Sequence, residues 1–390
     1  MPPLLTSFLS ILVLALGCGI ATWLAMHYNL VAWRRRAGQH WTVRARLLWT
    51  ARLNRTWIVI CINLIGISLA IEWRLIESSY LTVVILLGGV ILGLYPSTRE
   101  IEPRFTLPVW LGYTLSIMFF QFGLIAIGMW LATTMPKEMD LAAWLRTAIG
   151  LTGAMIIISG IYLPLLSRLT PLKPELKPVY QRLKDIAEIA TRNSGVTPRY
   201  IWLANSPIAN AVAFPLINAV VFTTRSMELL EDDECLSVMY HEYGHLREPW
   251  SIRLMRILPT LGFFVFIFVH PVSHAFGTMG VFLLIVLLII IQKSTNAVMR
   301  RMEHRADDLA NSLSAHSPVY ARALEKLHEA SQIPAVMAHK KMTHPDLYDR
   351  MLQAGLTPSY EPPLPPEGIT WAAKMMIFIT ILTVILVLKE

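Results

Sequence analysis

The sequence predicts a mainly α, polytopic helical membrane protein with an α+β domain on its cytoplasmic side. Three observations predict it. Of 390 residues, 55% are hydrophobic and only 15% charged, whereas an ordinary soluble protein is closer to half apolar and a quarter charged. The apolar residues are gathered into blocks close to the roughly 20 residues that a spanning helix needs. Two stretches, 168–250 and 293–368, are polar enough to fold in water.

The blocks expected to span are 4–26, 106–133, 142–166 and 370–388, with 254–272 and 276–292 forming a tight pair around a turn at residues 274–276. Blocks 57–76 and 81–96 are weaker: the first carries Asn63, Glu72 and Arg74, and the second is short and rich in glycine (Gly88, Gly89, Gly93). Asn63 and Gln121 are expected to hydrogen-bond neighbouring helices. Trp57, Trp73, Tyr80, Tyr95, Trp110, Trp130, Trp144, Trp250 and Trp371 lie near block ends, where an interfacial aromatic belt belongs.

Arg34, Arg35, Arg36, Arg44, Arg46, Arg52 and Arg55 crowd the loop after the first block. The lysine and arginine bias of loops places this one in the cytoplasm, and counting crossings puts both polar stretches there too. The expected setting is a bacterial inner membrane, with three parts to the chain. Residues 1–167 form a transmembrane region of about five spans. Residues 168–368 form the polar domain, interrupted by a hairpin at 254–292, and residues 369–390 form a last spanning helix. The net charge of +8 is carried beside apolar blocks, so it indicates the lipid bilayer as partner and no nucleic acid. Cys18, Cys61 and Cys235 make no disulfide framework and no C-x-x-C metal site.

Within the polar stretches, Val179, Leu183, Ile186, Ala187 and Ala190 share one helix face, with Gly195 as its stop. Residues 200–203, Ala211–Phe214 and Ala219–Thr223 read as short strands, the last two joined in a hairpin by 215–218. The acidic run Glu231, Asp232, Asp233, Glu234 opens the next helix, where negative charge suits the N-terminal dipole. A helix is expected from 299 to 330, and the proline-rich 357–366 is expected to be extended.

His241-Glu242-Tyr243-Gly244-His245 falls in that helix. At 3.6 residues per turn the two imidazoles share a face about one turn apart, a spacing that suits two nitrogens meeting one Zn²⁺. Glu242, one residue along, is placed to deprotonate an attacking water rather than to share the metal. Gly244 costs about 1 kcal/mol in a helix interior, which implies a close approach by something else. A catalytic zinc needs a third protein ligand. Glu303 and Asp307, four apart, offer a ligand and a hydrogen-bonding partner for a ligand imidazole. By residue type alone they also suit a solvated salt-bridge face with Arg300 and Arg301, and His304 is a rival ligand pointing about 100° away.

His241–His245 followed by Glu303-His-Arg-Ala-Asp307 resembles the HtpX-like and type I CAAX prenyl protease family of membrane zinc endopeptidases. Asn210-Ala211-Val212-Ala213 is similar to that family's edge strand, and Thr343-His344-Pro345 with Arg350 to its T-H-P…R element. The resemblance covers about 179–352. It implies a gluzincin-type zincin protease domain holding one Zn²⁺ on His241, His245 and Glu303. It also implies a base at Glu242 and a supporting Asp307. His344 is expected either to stabilise the oxyanion or to sit in a turn before Pro345. Asn210, Ala211, Val212, Ala213 and Arg350 are expected to bind substrate. The function so implied is zinc-dependent endoproteolysis of membrane-protein or peptide substrates, misfolded or regulatory, at cytoplasmic or juxtamembrane segments. The rival reading is a membrane sensor or scaffold whose zinc site is regulatory or self-cleaving. Glu242 argues against it, since a purely structural site has no use for a base.

Overall fold

The computed structural model describes residues 3–72, 80–169, 172–258, 262, 264–314, 318–337 and 346–387. It divides into two compact units: Met1–Leu111 with Gln332–Ala338 and Tyr360–Glu390, and Gly112–Ser331 with His339–Ser359. Five helices among the described residues are long and apolar enough to cross a membrane: Phe8–Arg35, Trp41–Glu72, Thr82–Ile101, Leu141–Ser159 and Val269–Leu313.

The first unit is helical. Helices α1 (Pro3–Asn29), α2 (Val31–Arg35), α3 (Trp41–Glu72) and α4 (Tyr80–Ile101) form it with the C-terminal helix described last. The glycine-rich block is a tight seam. A Cβ on Gly89 would sit 2.1 Å from the Ala15 carbonyl oxygen, and one on Gly93 would sit 2.3 Å from that of Gly19. α1 and α4 therefore meet backbone to backbone, the close approach that small residues permit between helices in a bilayer. Asn63 donates to the Val59 carbonyl of its own helix at 2.8 Å, not to a neighbouring helix as expected. Gln121 lies where side chains are outside the described residues.

The second unit takes up most of α5 (Leu107–Thr134), then α6 (Leu141–Ser159) and α7 (Leu163–Leu169). Asp140 caps α6 by accepting from the Ala143 amide at 2.7 Å. The polar domain opens with α8 (Lys177–Ser194), which ends on Gly195 at φ 70°, a left-handed turn that glycine adopts without penalty. Strands β1 (Tyr200–Ala204), β2 (Ala211–Phe214) and β3 (Ala219–Thr223) make a small mixed sheet in the order β1-β3-β2. β1 runs parallel to β3, and β2 antiparallel to it. β3 is the most buried strand and β2 lies at an edge. The predicted hairpin turn is present, with Asn218 at φ 53°.

After the sheet come α9 (Thr224–Leu229), α10 (Asp232–Leu246) and α11 (Trp250–Met255), then α12 (Val269–Leu313), α13 (Val319–Ser331) and α14 (Leu347–Gln353). Trp371–Val387 is the C-terminal helix, α15. The region of the expected hairpin differs in detail. Over 254–272 the described residues do not make one helix: α11 ends at Met255, and Phe264–Phe268 is a tighter 3₁₀ segment. The chain breaks not at 274–276 but at Gly277, whose φ of 60° and ψ of −156° only glycine adopts readily. Beyond Gly277 the helix runs on without interruption from its apolar stretch through to Glu303. The expected 299–330 helix is divided at Leu313, and α13 begins at Val319.

Candidate metal centre and its supports

The local sequence sets α10 in place before any metal is considered. Glu231 and Glu234 form a reciprocal capping box, Glu234 accepting from the Glu231 amide at 3.0 Å. Glu234 is buried and also takes Lys326 of α13 at 2.7 Å, which ties the start of α10 to that helix. Gly244 faces α12: a Cβ there would lie 2.7 Å from the Ala306 Cα and 2.9 Å from its Cβ. The glycine is the close approach that its helix-interior cost implied, and it brings Glu303 of α12 over the α10 histidines.

His241, His245 and Glu303 are all buried, and one ligand atom from each lies within 4.8 Å of the others. The Nε2 atoms of the two histidines are 3.2 Å apart. Glu303 Oε2 lies 3.7 Å from His241 Nε2, and Oε1 lies 3.6 Å from His245 Nε2. Tetrahedral zinc bonds of about 2.0–2.1 Å require ligand atoms roughly 3.3 Å apart. Two imidazoles and a carboxylate at these separations fit a zinc ion, leaving a fourth position as catalytic sites do. Glu303 is therefore the third ligand. The side chain of His304 is exposed while that of Glu303 is buried, because α12 turns only one of them towards α10.

Both rings have their far nitrogens held, so both present Nε2 to the centre. Asp307 Oδ1 accepts from His241 Nδ1 at 2.9 Å. The phenol of Tyr320 donates to Asp307 Oδ1 at 2.7 Å and lies 2.7 Å from His241 Nδ1. Arg350 donates from Nε to Asp307 Oδ2 at 2.9 Å, and from Nη2 to Asp307 Oδ1 and to Tyr320 at 2.6 Å each. Burial pushes the Tyr320 phenol well above its usual value, against the pull of Arg350, so it stays a proton donor. On the other ring, His245 Nδ1 donates to Glu248 Oε1 at 3.0 Å. Glu248 accepts in turn from Arg256, from Nε to Oε2 at 2.7 Å and from Nη2 to Oε1. Burial works against the charge on Glu248, but the Arg256 guanidinium, helped by His245, outweighs it and holds the carboxyl below the usual range.

Glu242 lies between the two histidines on α10 and is buried. Ala211–Phe214 forms the edge strand β2, with Val212 exposed and Asn210 at its entry. Arg350, expected to bind substrate, lies on α14. Its guanidinium is buried against Asp307 and Tyr320, and there it secures a ligand histidine. Thr343, His344 and Pro345 lie outside the described residues. Sequence reasoning missed Tyr320, Glu248 and Arg256. Only Glu248 had a signal, its three-residue spacing from His245. Tyr320 and Arg256 reach the site through the tertiary fold.

Residues 174–355 match the model of peptidase family M48. That match takes in a little under half of the chain and includes the buried His-His-Glu group, so this stretch is similar to the zinc metallopeptidase domains of that family. More particularly, over 102 residues the chain is 32% identical to a Thermoplasma acidophilum protein described as a protease HtpX homolog. The aligned stretch is 25% of this chain and 31% of that relative, so the chain spans about a third of the relative's length.

Proposed function

We propose that the chain is a multi-pass membrane zinc endopeptidase that cuts cytoplasmic or juxtamembrane segments of membrane proteins, misfolded or regulatory. The observation that carries this is the convergence of two Nε2 atoms and a carboxylate within 4.8 Å on buried helices, with Glu242 one residue beyond the first histidine. Zinc held there supplies a Lewis acid that polarises the scissile carbonyl and acidifies water. Glu242 takes the proton of the attacking water on its carboxylate and returns it to the departing amine nitrogen. Asp307, Tyr320 and Arg350 keep His241 facing the centre while that happens. The outer edge of β2, which pairs with no strand among the described residues, accepts an extended peptide as an added strand, so backbone hydrogen bonds set its position with little demand on sequence. His344 is proposed to act on the developing oxyanion.

The cytoplasmic placement rests on the arginine-rich stretch 34–55. The substrate class rests on distance from the bilayer. His245 lies only a few residues before α11, and Glu303 is on the same helix as the apolar run after Gly277. At 1.5 Å per helical residue, the ligands sit within roughly 20 Å of the membrane surface. The test is the purified Glu242→Gln variant. It should keep parental zinc content and lose proteolysis of an unfolded membrane-protein substrate by orders of magnitude. Cleavage at the parental rate would show that Glu242 is not the base.

A further inference from the structure

His241 and His245 are supported in different ways. The partners of His241 come from α12 and α13, distant in sequence, and both are held in turn by Arg350 of α14. The partner of His245 comes from the turn that ends its own helix, and that partner is gripped by Arg256, the residue that closes α11. The Glu248 side chain is 3% exposed, so its carboxylate meets protein rather than water.

Arg256 Nη2 also lies 2.9 Å from His245 Nδ1. A guanidinium only donates. Nδ1 therefore has two competing partners, and they require opposite tautomers. With its proton on Nδ1, the ring donates to Glu248 and turns a lone pair on Nε2 to the centre. With its proton on Nε2, the ring accepts from Arg256 and points N–H at His241 Nε2, 3.2 Å away. Only the first form has its lone pair on Nε2, where the metal centre lies.

We propose that Glu248 is the positioning residue of His245: by accepting from Nδ1 and occupying Arg256, it selects the ring form whose Nε2 can bind zinc. The inference rests on the zinc-site reading above. It adds that Arg256, deprived of Glu248, works against the metal, both by selecting the other tautomer and by leaving an uncompensated positive charge beside it.

The experiment measures zinc affinity of the full-length protein in detergent by competition with a chromophoric chelator. Circular dichroism and thermal unfolding of the metal-free forms show that each variant is folded. Glu248→Ala should bind zinc about 10–100-fold more weakly than the parent, the usual range for losing a residue that supports a metal ligand. Glu248→Asp should recover part of that. The deciding variant is Glu248→Ala with Arg256→Met. If Arg256 opposes the metal once it is unpaired, the double variant binds at least about threefold more tightly than Glu248→Ala. A merely structural role predicts the reverse, since removing both partners loosens the turn further. Parental affinity in Glu248→Ala overturns the proposal, and so does a double variant no tighter than the single. A parent that binds no zinc would overturn both this inference and the metal site beneath it.

Discussion

Gly244→Ala separates two opposing effects that can be sized from the structure. On an isolated helix the change is favourable by about 1 kcal/mol, because alanine loses less conformational freedom than glycine. In this fold the new Cβ would lie 2.7 Å from the Ala306 Cα, whereas nonbonded carbons settle at about 3.5–4.0 Å. The obstacle is backbone, so no rotamer change relieves it, and α10 and α12 must part by about 1 Å. Overpacking of this kind costs about 1–3 kcal/mol, enough to cancel the helix gain or exceed it. The larger effect falls on the metal. Glu303 is one turn before Ala306, and zinc tolerates ligand displacements of only about 0.2 Å. A 1 Å separation withdraws Glu303 from the histidine pair, so zinc affinity should fall at least about tenfold while the metal-free protein melts near the parental temperature. Chelator competition and thermal unfolding with and without zinc measure the two effects. A Gly244→Ala protein that binds zinc as tightly as the parent and melts at a higher temperature would refute the reasoning.

Glu303→Ala should empty the site in elemental analysis and His304→Ala should leave zinc near one per chain, since only the first side chain faces the histidines. Arg350→Leu leaves Asp307 buried with one ionic partner removed; loss of one member of such a pair costs about 3–5 kcal/mol, read as a fall in unfolding free energy and weaker zinc binding. Topology is tested with a cysteine placed at Lys173: an impermeant thiol reagent should label it only after lysis, and labelling in intact cells would place the polar domain on the other side.

The two histidine ligands and the small sheet were legible because both are short-range. A four-residue interval on a helix puts His241 and His245 on one face whatever surrounds them, and two short apolar runs either side of a turn define β2 and β3. Glycine was informative too. The helix-interior cost of Gly244 signalled a close approach, and the glycines near 88–93 a weak block that proved to be a seam. Periodicity could not choose between Glu303 and His304, because both lie on a helix with polar residues around it. Which of them meets zinc depends on how α12 is turned about its own axis, and the contact of Ala306 with Gly244 decides that. The break at Gly277 likewise falls one residue past the turn expected at 274–276. A hydropathy pattern shows where apolar residues stop, whereas a left-handed dihedral is set by the backbone at one position. Tyr320, Arg350 and Arg256 were out of reach of local reasoning for a further physical reason. A buried hydrogen bond joins residues by distance in space, and 79 positions separate Tyr320 from His241 along the chain. The two chelating histidines were written in the sequence; the third ligand and most of the residues that orient the rings were decided by packing.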